Sequence, residues 1–267
     1  MALIHVNFFS DVLGMSTQME VILPQPSDQQ IGIAHASGRI RYPVLYLLHG
    51  MTDNHTTWTR NTSIERYAAE HGIAVIMPNA HLSWYTNMHM GFNYFDHIAE
   101  EIPAICAQYF PMLSTERRDT FIAGNSMGGY GALLHGLSRP DRFAGIAALS
   151  AATDVCEVMR QNPSFIRPTF WSDIFGDTSA LAGSEHDLFA LSQRLSASTA
   201  PKPKIYMWCG TGDFLHAQNV CMSEHLRALR WDYEYHETEG DHSWKCWDPV
   251  IADILNWIEA VRQGGAC

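Results

Sequence analysis

The sequence lacks a segment that could cross a membrane, since no apolar run approaches the roughly 18 residues that a spanning helix needs. Its first residues, MALIHVNFFSDVLGMS, have no basic start, no long apolar centre and no small-residue cleavage site, so no secretory signal is predicted. The six cysteines are scattered and form no C-x-x-C pair, which favours reduced thiols over a disulfide framework. These absences predict a cytoplasmic protein with no membrane partner.

Positive charge is also scarce. Lys and Arg number 17 against 28 Asp and Glu, which gives a formal net charge of −11 at pH 7. An acidic surface repels phosphates, so no nucleic acid is expected as a partner. The sequence has no H-E-x-x-H motif and no clustered Cys/His spacing, and the glycines between residues 124 and 131 are spaced wrongly for a dinucleotide-binding G-x-G-x-x-G. We therefore expect neither a metal nor a cofactor.

What is present is a chain of 267 residues, 46% apolar and 17% charged, which can bury a sizeable core. Short apolar runs alternate with helical patterns, which predicts an α/β fold with a mostly parallel, doubly wound sheet of about eight strands. Residues 1–267 are expected to form a single domain. Strands are predicted at 4–9, 19–23, 44–48, 73–77, 121–123, 145–149, 204–209 and 233–237. Helices are predicted at 58–69, 95–109, from 129 onward, 218–229 and 247–261.

Three stretches do not fit this alternation. Residues 24–43 are polar and are predicted to form a surface connection. Residues 79–94 are rich in aromatic, His and Met side chains and follow a strand, where enzymes of this architecture line their pockets. Residues 154–199 are aromatic and loop-like, and are expected to form a cap-like pocket wall rather than a separate domain. The predicted pocket residues are Trp84, Phe170, Trp171 and Trp244.

The most informative stretch, residues 120–134, reads TFIAGNSMGGYGALL. Its apolar run meets Gly124, Ser126 and Gly128, and a helical pattern follows. Glycine at both flanking positions of a serine between a strand and a helix is typical of the nucleophile elbow of an α/β-hydrolase. The serine there adopts a strained conformation at a sharp turn, and a side chain at either glycine would collide with the neighbouring strand or helix. This context predicts that Ser126 is a nucleophile.

A serine nucleophile needs a base and an acid, which in this fold follow it in the order acid, then histidine. Asp213 comes after the strand 204–209 in a glycine-rich turn, and His242 comes in the loop after the last strand. We predict that His242 takes the proton of Ser126 and that Asp213 orients the imidazole. Among the alternative carboxylates, Asp154, Asp177 and Asp187 do not follow a buried strand so directly. Asp241 adjoins His242 and would have to fold back to reach its Nδ1.

The reaction also needs donors for a developing oxyanion. The loop after strand 44–48 begins His49, Gly50, Met51, and in this fold it supplies one backbone N–H while the residue after the nucleophile supplies another. We predict the N–H groups of Met51 and Met127 as the oxyanion hole. His49 could act as a base, but a histidine at this strand end is more often a hydrogen-bonded structural residue.

Four segments carry a family resemblance that spans nearly the whole chain. They read LHGM at 48–51, AGNSMGGYGA at 123–132, GTGD at 210–213 and GDHSWKCWD at 240–248. The chain resembles the esterase D group of α/β-hydrolases, which includes S-formylglutathione hydrolases, bacterial tributyrin (acetyl) esterases and, more distantly, mycolyltransferases. The resemblance is greatest to the tributyrin esterase branch. It implies a serine carboxylesterase for short acyl chains, and a possible homo-oligomer.

Other functions stay open. In the formylglutathione branch a cysteine typically follows the HG step, whereas here the loop reads MTDNH at 51–55. An S-formylglutathione thioesterase is nevertheless an alternative, as is an acetyl or feruloyl esterase acting on carbohydrate esters. A non-catalytic binding protein on a hydrolase scaffold would be expected to lack a triad residue. The leading hypothesis is a carboxylic ester hydrolase with a small-molecule ester as substrate.

Overall fold

Eight β-strands form one sheet in the structure, a computed structural model that describes residues 1–25, 31 and 41–264. The order across the sheet is β1-β2-β4-β3-β5-β6-β7-β8. β2 pairs antiparallel with β1 and β4, and the remaining pairs are parallel. The strands are β1 (Ala2–Ser10), β2 (Met15–Leu23), β3 (Val44–Leu48), β4 (Ala74–Pro78), β5 (Thr120–Asn125), β6 (Gly145–Leu149), β7 (Lys204–Gly210) and β8 (Tyr233–Thr238). The predicted α/β-hydrolase fold is confirmed, whereas most of the predicted connection at 24–43 lies outside the described residues.

Helices pack on both faces of this sheet. They are α1 (Thr57–Asn61), α2 (Ile64–His71), α3 (Tyr94–Asp96), α4 (Ile102–Tyr109), α5 (Met127–Ser138), α6 (Val155–Gln161), α7 (Phe170–Phe175), α8 (Leu188–Ser196), α9 (His216–Ala228) and α10 (Trp244–Gly264). None of the helices in the part of the chain that the structure describes is both long and apolar enough to cross a bilayer.

The core has two parts, one on each face of the sheet. One contains residues of α4, α5 and α7 to α9, and the other contains residues of α1, α2 and α10. The central strands β3, β4 and β6 are buried along their whole length. Strands covered by helices on both faces read as continuous apolar runs, which is why the runs at 44–48 and 145–149 predicted them correctly.

One predicted helix is divided in the structure, and another is continuous but changes its helical type. The helix predicted at 58–69 is divided into α1 and α2, and at the break the Ser63 N–H donates to Asp248 Oδ1 over 2.8 Å. The helix predicted at 95–109 contains a π-helical segment, His97–Glu101, between α3 and α4. There the Glu101 carboxylate accepts hydrogen bonds from Ser10 Oγ and the Val12 N–H of the distant β1–β2 hairpin. Both the break and the π-helical segment therefore make contacts with residues remote in sequence.

The stretch 154–199 inserts between β6 and β7 and is not loop-like throughout, because it contains α6, α7 and α8. Asp154 and Asp187 cap α6 and α8 by accepting backbone N–H groups of the first helical turn. Asp177 does the same for a short 3-10 turn, Thr178–Ala180. Aspartate is a preferred N-cap residue, so these three rival carboxylates are occupied in holding helix ends.

The sheet register brings several strand ends to one edge. Asn125 of β5 pairs with Leu149 of β6, and Gly210 of β7 pairs with Thr238 of β8. Because these strands are parallel, the loops that follow them emerge on the same side. That edge holds the predicted reactive residues.

Candidate active site

Ser126 lies at the turn between β5 and α5 in a backbone conformation that L-residues rarely adopt. Its φ is 56° and its ψ is −118°. The Ser126 N–H donates to the Leu149 carbonyl over 2.9 Å, and the Ser126 carbonyl accepts the N–H groups of Tyr130 at 3.0 Å and Ala152 at 3.2 Å. A strained backbone conformation persists only where several surrounding contacts fix it. Here β6, α5 and the loop after β6 hold the elbow in place.

The flanking glycines allow this turn to form. A Cβ built on Gly124 would lie 2.4 Å from the Gly128 carbonyl oxygen, and a Cβ on Gly128 would lie 2.4 Å from the Leu48 carbonyl oxygen. Both obstacles are backbone atoms, which cannot move aside as a flexible side chain can. The collision that the sequence predicts is therefore present at both positions, and β3 is one of the strands responsible.

Asp213 and His242 meet at the carboxyl ends of β7 and β8. His242 Nδ1 lies 2.9 Å from Asp213 Oδ2 and 3.1 Å from Oδ1. The Asp213 side chain is fully buried, and its Oδ1 also accepts the Leu215 N–H at 2.8 Å. Burial alone would raise the pKa of Asp213, but the hydrogen bonds from His242 and Leu215 outweigh it and hold the pKa below its usual value. The carboxylate therefore stays charged beside the imidazole.

His242 is linked to the elbow through β6. The Trp247 ring stands edge-on to His242 at a centroid distance of 4.9 Å, and Trp247 Nε1 donates to Ser150 Oγ over 3.1 Å. Ser150 directly follows Leu149, which accepts the Ser126 N–H. Among the described residues there is no hydrogen bond between the Ser126 hydroxyl and His242. The structure thus joins the predicted acid and base directly, and brings the nucleophile to the same edge of the sheet through a neighbouring strand.

The two predicted oxyanion donors are available. Within the described ranges neither the Met51 N–H nor the Met127 N–H donates to a protein acceptor. Met127 is the first residue of α5, where backbone N–H groups have no partner within the helix and favour negative charge. The loop after β3 closely approaches the nucleophile, since a Cβ built on Gly50 would lie 3.6 Å from Ser126 Cβ.

His49 has a different role from His242, although it also follows a strand. Its Nδ1 donates to the Gly50 carbonyl over 2.8 Å, and its Nε2 accepts the Ala80 N–H at 3.0 Å. Burial lowers the pKa of His49 to about 4, with a smaller opposing effect from the hydrogen bond to Gly50. With both nitrogens bonded to backbone, the neutral ring ties two loops together, which favours the structural interpretation.

The fourth rival carboxylate, Asp241, has partners other than the imidazole next to it in the sequence. It accepts a hydrogen bond from Ser243 Oγ and lies 3.1 Å from Lys245 Nζ in an exposed ion pair. It is therefore engaged with its own loop rather than with His242.

The four predicted pocket residues lie on different sides of the sheet. Trp84, Phe170 and Trp171 are buried together, with ring centroids of the two tryptophans 5.2 Å apart. Trp244 packs against Trp58 of α1 at 4.9 Å on the opposite face. The first three therefore share one apolar cluster, and Trp244 belongs to another. A substrate contact for any of them stays a prediction.

Sequence reasoning missed three residues near Ser126 and His242, the predicted nucleophile and base. Phe214 follows the predicted acid, and its ring centroid is 4.4 Å from that of His242. Asp53 and Asn125 flank Gly50: a Cβ built there would lie 3.2 Å from Asp53 Oδ2 and 3.1 Å from Asn125 Nδ2. Burial raises the pKa of Asp53 to about 6, although Arg60 partly opposes this shift. Their adjacency in the sequence to the predicted catalytic residues and oxyanion donor is the signal that could have found them.

Comparison with known proteins relates this chain to esterases. The family model described as putative esterase matches residues 10–258. The chain is 33% identical over 269 residues to an acetyl esterase of Caldicellulosiruptor saccharolyticus, covering 98% of this chain and 100% of that protein.

Solved structures show the same relationship. Substrate-bound FphF, a fluorophosphonate-binding serine hydrolase of Staphylococcus aureus, is 36% identical with a TM-score of 0.86, covering 96% of this chain and 98% of that one. The S-formylglutathione hydrolase FrmB of the same organism is also 36% identical over the same shares, with a TM-score of 0.84. A ferulic acid esterase at 22% identity and a TM-score of 0.80, covering 98% of both chains, supports the fold alone.

Proposed function

The chain belongs to the esterase family and is a serine-dependent carboxylic ester hydrolase, and on that premise we propose that it hydrolyses short-chain acyl esters through an acyl-Ser126 intermediate. His242 is the general base and Asp213 its orienting acid. The observation that carries this proposal is the hydrogen bond between Asp213 and His242, at the sheet edge where the strained elbow presents Ser126.

In the first step the Ser126 hydroxyl attacks the ester carbonyl carbon and gives its proton to His242 Nε2. Asp213 occupies Nδ1, so Nε2 is the nitrogen left for this exchange. Catalytic hydrogen bonds often tighten only when substrate is bound. We therefore expect the hydrogen bond between Ser126 and His242 to form in the substrate complex. His242 then returns the proton to the alcohol oxygen as the carbon–oxygen bond breaks.

In the second step water attacks the acyl-serine carbonyl and gives a proton to His242. The ester bond to Ser126 Oγ breaks, His242 protonates that oxygen, and the carboxylic acid leaves. In both steps the carbonyl oxygen becomes negatively charged. The free N–H groups of Met51 and Met127 would bind this oxyanion, and each such donor is worth roughly 3–4 kcal/mol.

Thioester hydrolysis is the second candidate. It is favoured by the similarity to the S. aureus S-formylglutathione hydrolase, at the same identity as the serine hydrolase FphF. The same residues would act, with a thiolate as the leaving group. S-formylglutathione exceeding acetyl esters in kcat/KM by orders of magnitude would favour this reading. An acetyl or feruloyl esterase for carbohydrate esters is supported less directly, by the acetyl esterase relative.

Three further proposals concern domain organisation, location in the cell and oligomeric state. We propose that residues 1–267 act as one domain, since all strands of the described residues belong to one sheet. A cytoplasmic location fits the free cysteines within the described ranges, which are Cys106, Cys156, Cys209, Cys221 and Cys246. A homo-oligomer stays a prediction.

The test compares p-nitrophenyl acetate, butyrate and decanoate with wild type and with Ser126→Ala. We expect the short esters to be preferred, and Ser126→Ala to lower kcat by at least about 10⁴-fold because no nucleophile remains. Labelling of wild type, but not of the variant, by a fluorophosphonate probe checks the same residue. Undiminished turnover by Ser126→Ala would contradict the mechanism.

A further inference from the structure

Two aromatic rings contact His242, and they differ sharply in exposure. Trp247 is buried, and its ring centroid lies 4.9 Å from that of the imidazole. Phe214 leaves 68% of its surface open to solvent, while its ring centroid lies 4.4 Å from that of the imidazole at an interplanar angle of 46°. The imidazole therefore contacts both a ring that belongs to the core and a ring that is open to solvent.

The direction of Phe214 is set by the turn that delivers the acid. Its neighbours Asp213 and Leu215 are both buried, and the Leu215 N–H donates to Asp213 Oδ1 over 2.8 Å. With both neighbours pointing inward, the residue between them points away from the core. Single exposed apolar residues are common on proteins, but this one lies against the imidazole of the reactive site.

When the alcohol leaves during acylation, its oxygen has to lie close to His242, and therefore close to Phe214. His242 must give its proton to the alcohol oxygen of the ester, so that oxygen comes within hydrogen-bond distance of the imidazole. The carbonyl oxygen is held instead at the N–H groups of Met51 and Met127. The carbon atoms attached to the alcohol oxygen therefore begin beside His242, where Phe214 offers an uncovered apolar surface.

We propose that Phe214 is a specificity-determining residue that packs against the alcohol part of the substrate and favours esters whose alcohol carries an aromatic ring one carbon away from the ester oxygen. This inference rests on the proposed function, because it assumes that His242 protonates the leaving alcohol. An aromatic ring in the alcohol would cover the exposed face of Phe214, and aromatic pairs gain from offset or edge-on packing beyond their buried area.

The experiment compares kcat/KM for benzyl acetate and ethyl acetate, which share the acyl group and have leaving alcohols of similar acidity. Phe214→Ala is expected to lower the ratio of benzyl to ethyl ester by about threefold to tenfold, mainly through KM, and Phe214→Leu to lower it less. Phe9→Ala is the matched control, because Phe9 is 61% exposed on β1, at the opposite edge of the sheet. It should leave the ratio unchanged.

An unchanged ratio in Phe214→Ala would overturn the inference. If kcat/KM also falls equally for both esters and the pH profile shifts, Phe214 only supports the imidazole. Ser126→Ala separates these from a failure of the proposed function: if that variant still hydrolyses both esters, the serine mechanism itself is wrong.

Discussion

Two regions at the same sheet edge present a histidine and a carboxylate, yet their chemistry differs. After β3 come His49 and Asp53, and after β7 and β8 come Asp213 and His242. Both ring nitrogens of His49 are hydrogen-bonded to backbone groups. His242 bonds Asp213 through Nδ1, and its Nε2 has no hydrogen-bond partner among the described residues. The partners of the two nitrogens, rather than the position after a strand, separate a structural histidine from a proposed base.

The two carboxylates differ in the same way. Asp213 is buried but accepts hydrogen bonds that keep its pKa below the usual value. Asp53 is only partly buried, yet its pKa is raised to about 6, because burial acts on it without any hydrogen bond to its carboxylate among the described residues. A buried carboxylate with donors stabilises positive charge nearby, while one without donors tends to hold a proton.

The largest effect is expected when the negative charge of the proposed acid, Asp213, is removed. Asp213→Asn should lower kcat by about 10⁴-fold, because an amide at this position favours the wrong imidazole tautomer. The measurement is kcat for p-nitrophenyl acetate between pH 6 and 9, with circular dichroism to check folding. A folded variant with wild-type kcat would show that another carboxylate orients His242.

A second change tests whether His49 is structural. His49→Leu leaves the Gly50 carbonyl and the Ala80 N–H without their partner, so the free energy of unfolding should fall by about 2–4 kcal/mol. Urea unfolding measures this loss. The pH midpoint of the remaining activity should not move, since His49 is neutral across the working range. A displaced midpoint with unaltered stability would instead indicate a base at His49.

The smallest expected effect concerns Asp53. Its pKa rises from the model-compound value of 3.8 to about 6 on folding, so the folded state binds more protons than the unfolded state between these values. Stability from this group is therefore greatest at low pH and falls as pH rises from about 3.8 to 6.

Asp53→Asn removes that dependence. The variant should be more stable than wild type by about 1 kcal/mol or less at pH 7.5, since the partly exposed carboxylate is screened by solvent, and should show a smaller gain at pH 4. Urea unfolding at both values supplies the comparison. An equal gain at the two pH values would show that the ionisation of Asp53 has no part in it.

Features set by local rules were predictable from the sequence. The glycines around Ser126 follow from the sharp turn, and Asp213 and His242 follow from the rule that loops after parallel strands share an edge. The buried strands were clear because their apolar runs are continuous. Helices α6 and α8 could also have been found, since Asp154 and Asp187 are N-cap residues before apolar patterns.

Features set by distant contacts were not predictable. The break between α1 and α2 depends on Asp248, far along the chain, and the π-helical segment lies beside Ser10 of β1. The exposure of Phe214 depends on which way its neighbours point, and no periodicity in a short turn records that. Likewise, their residue type predicts that Trp244 and Trp84 line one pocket, although they lie on opposite faces of the sheet.

The insertion at 154–199 contributes no strand to the described sheet, while the proposed nucleophile, acid and base all follow strands. Its helices α7 and α8 nevertheless pack into the same core as α5, the helix that follows Ser126, so a change in this segment has to keep that apolar contact. A graft of this segment from a relative that keeps the contact would test whether the segment forms part of the substrate pocket. Within one family, hydrolases that share a mechanism can in this way diverge in the molecules that they accept.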